Sequence, residues 1–304
     1  MALRVVVAGE IYIDQVFAGF ATWPQPGEEA FAESMTREAG GGAPHTAAGL
    51  ASLGWDVTLV GPVGNDRAEN DQAGHDRWLR ARLKQLGLHT EGLHPHASEP
   101  TGTTVVITLP PERMFFTYRG ANADLDAALR RVPPADHLHV AAACDRELLG
   151  LLCKRAKTVS VDCGWHPEWL RDECVQDAMR AVSWFFPNGL EAAALTGESE
   201  PRAMLKRFDE LGIRAAVKLG AAGSATMVDG CYFHAPSIDV ETVDTTGAGD
   251  CFNAGFLDAW LRDEPLPVCL VSGNLCGALS TRKMGGMNAF PTRQELNEWR
   301  SKSR

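Results

Sequence analysis

The residues of this chain best suited to chemistry are Gly247, Ala248, Gly249 and Asp250, in the run Asp244-Thr245-Thr246-Gly247-Ala248-Gly249-Asp250-Cys251-Phe252. Upstream lies a β-rich run, Tyr232 to Val243. Downstream, Ala254, Phe256, Leu257, Trp260 and Leu261 recur at helical spacing, so the run reads as a loop that opens a helix. Two glycines let the backbone turn tightly and present successive N–H groups without a Cβ in the way. First-turn amides have no intrahelical partner and sit at the positive end of the helix dipole, so an anion is stabilised there. A carboxylate among those donors, Asp250, can take a proton from a hydroxyl. An anion cradle beside a base suits phosphoryl transfer, in which charge spreads onto the transferred oxygens. The competing reading makes Asp250 a helix-capping residue after a glycine-rich turn.

Other residues join this chemistry through the elements that carry them. Leu3 to Gly9 is a continuous apolar run, as in a strand buried on both faces, and it leads to Glu10-Ile11-Tyr12-Ile13-Asp14. Ligands of parallel α/β sheets gather beyond the carboxyl ends of strands, where Asp14 can accept from two hydroxyls of a polyol or remain a solvated loop residue. Gly40-Gly41-Gly42 introduces a helix over Pro44–Leu53, bringing His45 into its first turns. Asn188 and Glu191 start another helix. There Glu191 can orient Mg²⁺ through water while Asn188 caps the helix. A strand over Arg214–Leu219 ends in Gly220-Ala221-Ala222-Gly223, a tight turn able to pass close to nucleotide phosphates, and Val268–Ser280 forms a late helix. Strands at His137–Ala141, Thr158–Asp162 and Trp184–Phe186 alternate with helices, which argues for a parallel sheet covered on both faces. Gln15–Ala39 and the runs Thr103–Leu109 and Met114–Tyr118 leave that pattern as strands and turns. Neither a P-loop nor a Gly-x-Gly-x-x-Gly fingerprint occurs.

The central run resembles, at every fixed position, the Asp-Thr-x-Gly-Ala-Gly-Asp-x-Phe signature of the ribokinase-like (PfkB) carbohydrate kinases. An N-terminal family signature is similar to Gly41-Gly42-Ala43-Pro44-His45-Thr46-Ala47, continuing to Gly54 and Gly64, with His45 standing where the family has Asn. Gly61-Pro62-Val63-Gly64-Asn65-Asp66, Asn188-Gly189-Leu190-Glu191 and Lys218-Leu219-Gly220-Ala221-Ala222-Gly223 follow in family order over nearly the whole chain.

This resemblance implies an α/β fold: a three-layer α/β/α domain spanning residues 1–304, with a mostly parallel central sheet and a small β lid from about 15–39 and 101–120. It further implies an ATP-dependent sugar kinase. Asp250 would be the base, and the amides of Gly247, Ala248 and Gly249 the anion hole. Asp14, Gly41, Gly42 and His45 would hold the acceptor, with Arg119 and Asn122 beside it; Arg119 meets a substrate anion or faces solvent. Asn188, Lys218, Gly220, Gly223 and Asn274 belong with the nucleotide, Asn274 flanking the adenine. Mg²⁺ is expected near Glu191, and K⁺ near Asp244, the Thr246 carbonyl and the loop at Gly285–Gly286. The stretch Asp162-Cys163-Gly164-Trp165-His166 keeps the Asp of a family Asp-x-Asn-x-Arg motif and lacks its Asn and Arg; Trp165 and Trp169 read as packing residues. A nucleoside kinase of the same fold, and a silent sugar- or nucleotide-binding regulator, remain alternatives.

With 304 residues and 45% hydrophobic content the chain can bury a large core. A net charge of −10 argues against nucleic acid or an anionic membrane as partner. The N-terminus leads straight into a strand and no apolar run reaches spanning length, so a cytoplasmic enzyme is expected, with its eight scattered cysteines reduced. The β-rich lid needs cover for an apolar face, and a homodimer packed lid on lid would supply it.

Overall fold

The structure, a computed structural model, describes residues 3–24, 27–65, 74–109 and 112–302. Its centre is a six-stranded parallel sheet formed by β1 (Val5–Gly9), β4 (Val57–Val63), β5 (His89–Pro95), β8 (Ala135–Ala141), β9 (Ala156–Asp162) and β10 (Trp184–Phe185), in the order β10-β9-β8-β1-β4-β5. Strand β1 lies in the middle, with Val5 opposite both Val57 and His137. Because side chains alternate across a strand, its apolar run feeds two cores. Val5 and Val7 join Val57, Leu59 and the helices Gly42–Ser52 and Ala248–Trp260. Val6 and Ala8 join Leu138, Val140 and the helices Arg146–Cys153 and Pro201–Glu210 on the opposite face. Three layers result.

The alternating pattern runs as far as β10, and its strands pair in parallel as expected. The strands β11 (Ala216–Lys218), β12 (Ser224–Val228) and β13 (Cys231–Ala235) form an antiparallel sheet. Parallel bridges Phe185↔Ala215 and Asn188↔Lys218 attach it beside β10. The reason is the two-residue turn Asp229-Gly230, with φ of 51° and 75°, which closes a tight hairpin. The β-rich run expected to reach Val243 ends at Ala235, before Pro236, which has no amide for a ladder.

A separate four-stranded sheet has the order β3-β2-β6-β7, from β2 (Tyr12–Ala18), β3 (Ser34–Gly40), β6 (Gly102–Leu109) and β7 (Glu112–Tyr118). Hairpin pairs β2–β3 and β6–β7 meet through a parallel β2–β6 seam. The turns expected at Pro110-Pro111 and Gln25-Pro26, the residue Asp66 of the Gly61–Asp66 turn, and Met1-Ala2 lie outside the described residues. Among the described residues no helix is long and apolar enough to cross a membrane.

Candidate active site

The Gly247 run forms the predicted loop-to-helix junction. Gly247 is the N-cap of helix Ala248–Trp260 at φ 70°, a left-handed conformation that costs glycine little, and a Cβ there would overlap the His45 ring. Asp250 sits half-buried in the first turn. Loss of hydration, with the Asp162 and Glu191 carboxylates only partly offset by Lys218, pushes its carboxyl up to about 8. The Ala248 amide donates within the turn to the Thr245 carbonyl at 3.2 Å, so this member of the expected anion hole already has a partner.

On one side of Asp250 lies a corner built from glycines. A Cβ on Gly42 would stand 3.0 Å from Asp250 Oδ1 and 3.3 Å from the Ala141 Cβ, so only glycine leaves this space open. Asp14, on β2, packs against Gly40, its partner strand's last residue. Burial raises Asp14 to about 6, opposed by the charge of His45 and a hydrogen bond from Thr104. Gly41 caps helix Gly42–Ser52, and its carbonyl accepts the His45 Nδ1–H at 2.8 Å. A carbonyl can only accept, so Nδ1 carries the hydrogen and Nε2 is the ring nitrogen left for another partner. That atom is buried without a partner among the described residues.

On the other side opens a cleft of about 390 Å³, between the β11 turn and the two C-terminal helices. Lys218, Gly220, Gly223, Ala248, Gly249 and Asn274 all line it. Asn274 spends its amide donors on the Ala235 and Pro236 carbonyls, at 2.8 and 3.1 Å, and so fixes the chain that forms the cleft wall. Asn188 and Glu191 form a reciprocal capping box on helix Gly189–Thr196, with Glu191 Oε2 accepting the Asn188 amide at 2.8 Å. Burial raises the Glu191 carboxyl.

Beneath Asp250 lies an ion pair of which the sequence reading singled out only the lysine. Lys218 Nζ meets Asp162 Oδ2 at 2.6 Å, and Asn253, one turn along the Asp250 helix, donates to the same oxygen at 2.7 Å. Asp162 was visible only as a fragment of an incomplete motif.

The other residues named from the sequence each have defined surroundings. Asn122 turns its amide onto the Ile11 backbone, accepting at 3.0 Å and donating at 2.8 Å, so it pins the β1–β2 corner. Arg119 is exposed and pairs loosely with Glu10 at 3.5 Å, beside a second cavity of about 510 Å³ that Asn122 also lines. Trp169 packs as expected, donating to the Cys144 carbonyl, whereas Trp165 is exposed because its loop ends beyond the core. Asp244, expected at a cation, accepts from the Thr246 amide at 2.9 Å and the Gly285 amide at 2.8 Å, tying the two loops together.

A family model described as pfkB family carbohydrate kinase matches residues 2–293. The chain is 31% identical over 295 residues to an ATP-dependent ribose-1-phosphate kinase from Halopiger xanaduensis, covering 94% of this chain and 95% of the relative. It is 27% identical to a ribokinase from Bacillus subtilis, over 90% of this chain and 92% of that one. Among solved structures, ribokinase from Thermotoga maritima superposes with a TM-score of 0.80 at 25% identity, covering 98% of this chain and 99% of the other. With its central parallel sheet, its helical layers and its glycine-capped helix Ala248–Trp260, the chain belongs to the pfkB family of carbohydrate kinases, enzymes that phosphorylate an alcohol group at the expense of ATP.

Proposed function

We propose that the acceptor is a pentose or pentose phosphate held in the corner of Asp14, Gly42 and His45, and that Asp250 is the base. The observation that carries this reading is the position of Asp250 between the two spaces. Its carboxylate borders the Gly42 corner, and its helix N-terminus borders the cleft. Asp250 takes the proton of the acceptor hydroxyl, the hydroxyl oxygen attacks the γ-phosphorus, and the bond to the ADP oxygen breaks. Amides of the Gly247–Gly249 turn hold the charge on the transferred oxygens. A base raised to about 8 matches a proton transfer near neutral pH, because efficiency peaks when the two are close. His45 Nε2 accepts a hydrogen bond from a second acceptor hydroxyl. The pentose class is drawn from the ribose-1-phosphate kinase and ribokinase relatives.

Two ions fit. Mg²⁺ keeps most of its water and bridges phosphates, so the Glu191 carboxylate, whose charge acts on the cleft-lining Lys218, would hold it through water. Mg²⁺ would neutralise the phosphate tail. A Cβ on Gly286 would stand 2.6 Å from His45 Nε2 and 2.8 Å from the Thr246 carbonyl, and K⁺ would be held on the loop side near Asp244. The four-stranded sheet acts as a lid over the acceptor within a single kinase unit.

The test is ADP release with Mg²⁺ and K⁺ present, across ribose, ribose 1-phosphate, fructose, a keto-deoxy sugar acid and nucleosides. A pentose or its phosphate should give the highest kcat/KM. Preference for a nucleoside would replace the pentose assignment, and ATP turnover with none of them would overturn the kinase reading of this site.

A further inference from the structure

Asp162 ends β9, Lys218 ends β11 and Asn253 comes from the helix of Asp250, so one carboxylate gathers three elements. Its second oxygen accepts the Gly164 amide at 3.2 Å. The ion pair is nearly enclosed, with side-chain exposures of 14% for Lys218 and 10% for Asp162. For stability alone this arrangement has no advantage, because apolar residues of similar volume usually do as well as a buried ion pair. Its location argues for a task. Lys218 lines the cleft, and its Nζ lies 3.4 Å from the position of a Cβ on Gly249, in the turn that cradles the transferred phosphoryl.

We propose that Asp162 is a positioning residue for phosphoryl transfer, holding the Lys218 ammonium against the Gly249 turn so that its charge meets the transferred group. This rests on reading the cleft as the ATP site and Asp250 as the base. Left unpaired, a lysine carries its point charge on a flexible four-carbon stem that can place it in many positions. Clamped by a carboxylate that Asn253 also holds, it presents the charge at one place, which suits a transition state that rewards preorganised electrostatics.

The same carboxylate acts on the base. The charged and titratable groups around Asp250 are Asp162 from β9, Lys218 from β11 and Glu191 from helix Gly189–Thr196, with His139 from β8 behind Asp162. Asp162 and Glu191 favour the protonated carboxyl and Lys218 opposes them. Removing the Asp162 charge therefore leaves Asp250 ionised to lower pH.

The experiment compares Asp162→Asn, Asp162→Glu and Lys218→Met with the wild type, reading kcat, both KM values and the pH profile of kcat/KM. Asp162→Asn should lower kcat by about 10–100-fold, in line with the cost of a small misplacement in an active site. It should hold the acceptor KM near its starting value and move the acid limb to lower pH. Asp162→Glu retains the charge but displaces the ammonium by one methylene, so kcat should fall while the limb stays. Lys218→Met should cost little more in the Asp162→Asn background, because the residue is already misplaced there. Full kcat and an unmoved limb in Asp162→Asn, or full kcat in Asp162→Glu where the Asn variant fails to fold, would overturn the proposal. A wild-type protein without turnover would instead strike the functional reading itself.

Discussion

Asp250 shows how a single carboxyl ties stability to pH. Its carboxyl is raised from 3.8 to about 8, so the folded chain binds this proton more tightly than the unfolded chain does. The stability linked to that proton is complete below about pH 4 and is lost as pH rises toward 8. Asparagine is close in shape and never ionises. Asp250→Asn should therefore melt above the wild type on the alkaline side, with the gap closing toward pH 4, while kcat falls by about 10²–10⁴-fold. Calorimetry across pH together with steady-state rates checks both halves. Lowered stability with near-normal turnover would make Asp250 a capping residue. His45 is the second residue to test. If its bare Nε2 accepts from the acceptor, His45→Ala should raise the acceptor KM far more than the ATP KM, and His45→Asn should recover part of the loss. Equal effects on the two KM values would assign the ring to packing between Gly247 and Gly286.

At the scale of elements, the Asp250 helix is fixed by how closely it meets its neighbour, helix Leu266–Ser280. A Cβ on Gly255 would overlap the Ser272 carbonyl and stand 2.7 Å from Cys276 Sγ. Alanine gains about 1 kcal/mol over glycine in a helix interior. Overpacking against backbone costs about 1–3 kcal/mol, and here the obstructing atom cannot rotate away. The clash wins, so Gly255→Ala should lower the melting temperature. Gly150→Ala, in the helix Arg146–Cys153 with open space around it, should leave stability unchanged or improved. A stabilising Gly255→Ala would mean that the helices are less tightly packed than this. The loop holding Asp244 to Gly285 supports the same helix start from the other side. With K⁺ replaced by a bulky organic cation at saturating Mg²⁺, turnover should fall, and an unchanged rate would remove the K⁺ assignment.

Across the whole molecule the conspicuous surface is on the four-stranded sheet. Met35, Phe115, Phe116 and Tyr118 are exposed there, each by more than half. Strands β3 and β7 are its edges, and an apolar sheet with open edges needs cover. We propose that a second copy supplies it, sheet against sheet. Sedimentation should give a dimer, and the double change Phe115→Lys with Phe116→Lys should shift it to monomer. A wild-type monomer at high micromolar concentration would refute the pairing.

What the sequence determined was local. Nine residues from Asp244 to Phe252 contain the glycines, the helix start and the carboxylate, so the glycine turn and the place of Asp250 in it were legible without a fold. Asn188 and Glu191 are three apart, and their capping box follows from that spacing. The Asp229-Gly230 turn was equally legible, and it closes the hairpin of β12 and β13. Tertiary structure decided whatever depends on residues far apart along the chain. Asp162 meets Lys218 across 56 positions, and Asn122 meets Ile11 across 111. No periodicity encodes such meetings, because they arise from which strand ends the sheet order brings together. Asn122 was thus turned onto the Ile11 backbone, and the Asp of an incomplete motif came to lie between Lys218 and Asn253.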